Sequence, residues 1–94
     1  MNILYLTLHK KWFNMIATGE KRIEYREMKP YWDARLENRR YDEVHFRNGY
    51  AKNAPFMRVR CMGIEQGHMF DGKPCYGIHL GDILEFRNYR GLSL

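Results

Sequence analysis

The chain is predicted to fold as a single α+β domain with a mixed or barrel-like sheet. Three observations predict this. Apolar residues alternate with period two near the N-terminus and through most of residues 43–89. They recur at helical spacing over two short intervals, 10–18 and 31–38. No repeat, linker or low-complexity stretch divides the 94 residues. A chain of this length is near the size at which one core suffices without metal or disulfide support. A hydrophobic fraction of 45% that includes seven Tyr, five Phe and two Trp argues for a packed globule.

Residues 3–8 alternate Leu4, Leu6 and Leu8 against Ile3, Tyr5 and Thr7, which predicts a strand, and a central one because both faces are largely apolar. Trp12, Phe13, Ile16 and Ala17 then recur at helical spacing, and Gly19 stands where a helix takes a left-handed stop. Over residues 22–27 the period returns to two, with Ile23 and Tyr25 on one face and Arg22, Glu24 and Arg26 on the other. Pro30 suits a helix start, and Trp32 and Leu36 at i, i+4 predict a short helix over 31–38. A third strand is expected at 43–47, with Val44 and Phe46 inward and His45 and Arg47 outward. Asn48-Gly49 opens a loop over 48–54. A fourth strand spans 56–64, with a bulge at Gly63. Residues 66–74, with two glycines, an aspartate and a proline, read as an irregular loop. A fifth strand follows around Tyr76, Ile78 and Leu80, then a turn at Gly81-Asp82 and a sixth strand over 83–89.

The net charge is +5, and it is unevenly placed. Residues 9–60 hold thirteen Lys/Arg against seven Asp/Glu, whereas the remainder carries a net −1. That distribution favours a polyanionic partner such as nucleic acid. No charged-then-apolar leader is present and no apolar run approaches the ~20 residues of a membrane span, so a cytoplasmic protein without membrane contact is expected. Cys61 and Cys75 do not make a disulfide framework and are expected as free thiols behaving as small hydrophobes. Among His9, His45, His68 and His79 no pair has metal-ligand spacing, so neither a metal nor another cofactor is expected; His9, just before the first helix, is the histidine best placed to face a cleft.

The charge concentrates at the turn after the first helix: Gly19-Glu20-Lys21-Arg22-Ile23-Glu24-Tyr25-Arg26. This stretch, G-x-K-x-x-x-x-R following a strand and an amphipathic helix, resembles the signature of the ASCH domains of the PUA-like superfamily. The resemblance extends in layout over most of the chain. It implies a small PUA-like β-barrel of five or six strands with two helices, and a cleft whose floor is this motif. It also implies an association with RNA or with modified nucleosides. Lys21 matches the motif lysine, a catalytic residue in an amidohydrolase branch of the family, and Arg26 matches the motif arginine. Glu24 departs from that branch, which carries a threonine as presumed nucleophile there. The glutamate that the branch supplies from a later helix has no counterpart, because no helix is predicted after residue 40. Thr7, Thr18 and Ser93 are the chain's only Ser/Thr hydroxyls, which gives little support to a Ser/His nucleophile.

The expected function is therefore recognition of RNA or a modified nucleoside in a cationic cleft. Lys21 and Arg26 would supply donors, and Glu24 would accept from a base edge or orient them. Arg22, Arg47, Arg58 and Arg60 stand on strands as candidates for bidentate phosphate contact. Tyr31 and Trp32 are candidates to stack a base at the cleft lip, whereas Trp12 and Phe13 lie on a helical stripe and read as core. Two alternatives stay open. One is an enzyme, either a nucleoside amidohydrolase or a metal-assisted ribonuclease, with Lys21 and Glu24 as its acid/base pair. The other is an adaptor that binds protein.

Overall fold

The computed structural model describes residues 1–89; Ser93 lies outside them. The elements follow the order β1 (Ile3–Thr7), α1 (Lys10–Ala17), β2 (Ile23–Glu27), α2 (Pro30–Leu36), β3 (Glu43–Arg47), β4 (Phe56–Phe70) and β5 (Lys73–Arg87). The strands form one mixed sheet in the order β1-β3-β4-β5-β2. β1 runs parallel to β3, and the other three pairs are antiparallel.

The ladder is thus open, with β1 and β2 as its two edges, and barrel closure is not seen among the described residues. The central position expected for β1 is likewise corrected. Its inner face, Leu4 and Leu6, is buried, but on the other face Tyr5 is 70% exposed, so two apolar faces did not mean two covered ones.

The core lies on the inner face of the sheet. Val44 and Phe46 of β3, Met57 and Val59 of β4, and Tyr76 and Ile78 of β5 are all fully buried there. Phe13 and Ile16 of α1 and Leu36 of α2 close it from one side. The two helices are short, and packing of these apolar residues rather than intrinsic propensity holds them. Tyr76 also tethers α2, because its hydroxyl donates to Asp33 Oδ1 at 2.6 Å. Burial, then the carboxylate beside it, push that phenol up to about 12.

The largest departure from expectation is the β4–β5 hairpin. Residues 66–74 are not an irregular loop. The strands continue to Phe70 and from Lys73, joined by Asp71-Gly72 with φ of 54° and 75°. Two left-handed residues make the tight turn whose twist matches paired strands, and Asp-Gly is a sequence suited to it. Nor is there a sixth strand among the described residues, since Gly81-Asp82 lies within β5. There the register against β4 shifts between Val59 and Cys61, and the dipeptide is absorbed as an irregularity rather than a turn. The bulge expected at Gly63 is present, with φ of 138° and a register shift beside it. Cys61 and Cys75 are free thiols.

On the outer face, charged residues of three strands form one network. Arg58 donates from Nε and Nη2 to the two oxygens of Glu43 at 2.9 and 3.0 Å, and from Nη1 to Glu85 at 2.9 Å. His45 Nε2 lies 2.9 Å from Glu43, and Arg87 pairs with Glu85. Arg58 and then His45 hold Glu43 down to about 2; Arg87 and then Arg58 do the same for Glu85. Both carboxyls are depressed from an ordinary 4.5, so the stability they confer is complete above that pH. It is lost as the pH falls toward about 2. Thermal midpoints recorded from pH 6 to about pH 2 should fall in that window. The double variant Glu43→Gln/Glu85→Gln should start lower and show a flatter acid limb; an unchanged acid limb would rule out this network as the cause.

Candidate functional site

The turn into β2 is fixed by the end of α1. Gly19, at φ 82°, donates its N–H to the Ile16 carbonyl, and the Lys21 N–H reaches back to the Met15 carbonyl at 2.9 Å. These bonds satisfy the last helical carbonyls and set the direction in which β2 leaves. β2 then pairs with β5 so that Glu24 lies opposite Ile78 and Arg26 opposite Tyr76, two fully buried core residues. The charged face of β2 is therefore its inner face.

Glu24 is only 5% exposed, and a carboxylate so placed needs partners. Arg26 donates to its Oε2 from Nε at 3.0 Å and from Nη2 at 2.7 Å, and the Lys21 ammonium lies 3.3 Å from its Oε1. Each cation also rests on an indole: Lys21 Nζ is 4.9 Å from the Trp12 ring centre, and the Arg26 guanidinium 4.9 Å from that of Trp32. Such contacts contribute ~0.5–2 kcal/mol, more where water is excluded.

A cleft of about 370 Å³ opens beside this triad, between the end of β1 and the edge of β2. That volume is within the ~300–1,000 Å³ of small-molecule sites. Thr7, His9, Trp12, Glu24, Arg26 and Trp32 face it, with Glu27 and Lys29 at its mouth, paired at 3.7 Å. Lys21 is not in the lining and meets the cleft through Glu24 and Trp12. Its ammonium reaches Glu24, while the residue itself lines a smaller hollow of about 220 Å³ behind the turn, together with Arg22 and Asp82.

The fold thus brings Lys21, Glu24, Arg26, His9 and Trp32 to one place. Tyr31 stands 56% exposed beside Trp32, its ring covered by Arg35 at 3.6 Å. The other sequence candidates go elsewhere. Arg22 is exposed toward the smaller hollow. Arg47, Arg58 and Arg60 lie on β3 and β4, outside the cleft lining. Arg47 bonds to the Ala51 carbonyl, Arg58 is engaged by two carboxylates, and Arg60 is exposed. Sequence reasoning missed Thr7, Lys29 and the cleft role of Trp12. Trp12 packs against the core as its helical spacing required, yet part of its ring is left to the cleft.

A motif of this kind is short, and the comparison with known families decides the matter: the ASCH domain profile matches residues 6–91. The chain belongs to the ASCH domain family. No curated protein and no solved structure matches it. In this ASCH domain the match runs from the end of β1 through the last strand, so it covers the triad, the cleft and both helices. Among the described residues no helix is long and apolar enough to cross a membrane.

Proposed function

We propose that this ASCH domain recognises RNA by taking an unpaired base or a modified nucleoside into the cleft between β1 and β2. The observation that carries the reading is the Glu24 carboxylate held between Lys21 and Arg26, each cation lying on an indole that faces the cleft. Indole faces accept any base by stacking, at ~1–3 kcal/mol per base, and cations beside them favour a phosphate-bearing partner. Trp12 and Trp32 supply the stacking surface, Arg26 and Lys29 the charge, and Thr7 a hydroxyl able to donate or accept.

The same geometry favours recognition over catalysis. Both oxygens of Glu24 are already occupied, Oε2 by two Arg26 nitrogens and Oε1 by Lys21. A carboxylate so engaged holds and orients its two cations, and neither oxygen is left free for a substrate. Position 24 also carries no hydroxyl to act as a nucleophile.

The test is a titration of labelled single-stranded RNA at several salt concentrations, followed by anisotropy. Affinity is expected to fall linearly on logarithmic axes, with a slope of about −0.7 for each phosphate contacted. Trp32→Ala should weaken binding by about 5- to 150-fold, the equivalent of one stacked base. Salt-independent affinity, or none, overturns the reading and leaves a protein-binding adaptor. Turnover of acylated cytidine or RNA that is abolished by Lys21→Ala would replace recognition with catalysis at the same site.

A further inference from the structure

A second cluster of chemically capable side chains lies away from the cleft, on the outer face of the β4–β5 hairpin. In sequence Glu65 and His68 are three residues apart, but His79 lies beyond the hairpin turn, on the other strand. The hairpin brings them together. Glu65 pairs with Gly77 and His68 with Cys75, so three steps along β4 match two along β5. The extra residue is a bulge at Gly67, whose φ is 86°. It turns His68 onto the face that already carries Glu65, where a regular strand would have sent it to the opposite face. His79, two residues beyond Gly77 on β5, completes the group.

Three details suit this group to an ion. The ligating atoms of all three residues lie within 4.8 Å of one another. The His68 ring lies directly over Gly77, where a Cβ would come within 2.8 Å of its Cδ2 and Nε2, so the absent side chain makes the room it occupies. His79 Nε2 is buried and has no hydrogen bond: Glu65 Oε1 approaches to 2.6 Å, but not along the direction a hydrogen bond requires. Tyr25 backs the His68 ring at 5.6 Å and stacks on Phe70, which restricts the imidazole from the far side.

We propose that Glu65, His68 and His79 form a binding site for a divalent transition-metal ion of the zinc class. Two imidazoles and one carboxylate are a borderline-soft donor set that suits Zn²⁺, Co²⁺ or Ni²⁺ rather than Mg²⁺ or Ca²⁺. Three protein ligands leave a fourth position for water. Bonds of ~2.0–2.2 Å place tetrahedral ligands about 3.3–3.5 Å apart. Glu65 therefore swings outward from His79 on binding, which its 62% side-chain exposure permits. The site shares Tyr25 with the cleft lining but none of its three ligands, so metal binding is measured apart from RNA recognition.

The test uses the untagged full chain and the metal alone. Calorimetric titration with Zn²⁺ should give one ion per chain, and Co²⁺ should develop visible absorption of a low-coordinate centre. His68→Ala and His79→Ala should each weaken binding by more than about 10-fold, the smaller loss typical of outer-shell changes. Glu65→Gln, at an exposed position, serves where a histidine variant fails to fold. Gly77→Ala should also weaken binding by displacing the His68 ring, with unchanged circular dichroism, and Lys21→Ala should leave it intact. Absence of saturable binding overturns the proposal, as does binding that persists in Glu65→Gln and both histidine variants.

Discussion

Glu24→Leu is expected to lower stability by about 3–5 kcal/mol, toward the lower end because its partners reach water. Among the described residues Glu24 is the one acidic partner of two largely covered cations: the Lys21 and Arg26 side chains are 13% and 18% exposed. They would be left confronting each other over the buried face of β2. Urea denaturation measures the loss directly. The triple variant Lys21→Met/Glu24→Leu/Arg26→Met supplies the internal control, because replacing a whole buried ion group by apolar residues of similar volume is often neutral. It should recover most of the stability while RNA affinity stays lost. A single variant as stable as the parent would show that the carboxylate does not hold the two cations.

Phe46→Ala should cost a similar ~3–5 kcal/mol by a different route. Phe46 is fully buried between the sheet and the helices, and its removal opens a cavity among well-packed neighbours. It stands on β3 and does not face the cleft. Well below its lowered melting temperature this variant should therefore bind RNA as the parent does. The two variants match in stability and differ in binding, which separates a fold effect from a site effect. Loss of binding in folded Phe46→Ala would argue that the cleft depends on the whole core rather than on the β2 charges.

Local chemistry explains which parts were legible in the sequence. β1, α1, the stop at Gly19 and β3 follow from alternation, helical spacing and one glycine, because each of these signals is contained within its own element. The convergence of Lys21, Glu24 and Arg26 was legible for the same reason, since one turn and one short strand carry all three. Their inward orientation was not. A strand with Ile23 and Tyr25 on one side and three charges on the other reads as charge outward, and only the pairing of Glu24 with Ile78 reverses it. The long hairpin failed differently. The bulge at Gly63 was legible, but the next one needs Gly67 at positive φ, and that glycine, followed by Gly72 and Pro74, looks like loop in a sequence. Asp71-Gly72 carried the turn signal, but the broken alternation before it hid the strand. The Glu65, His68 and His79 group depends on that hairpin and on a bulge, so no spacing rule reaches it.

The open edge of β2 has a consequence for the solution behaviour of the chain. An unpaired strand edge is a template on which another chain can add a strand and so begin aggregation. Inward-pointing charges on such a strand are one of the features that disfavour this. Glu24 and Arg26 are such charges, already neutralising each other within their own molecule. The residues that furnish the cleft thus also protect β2 against intermolecular pairing. β1 carries no such inward charge, and its outward side bears the exposed Tyr5.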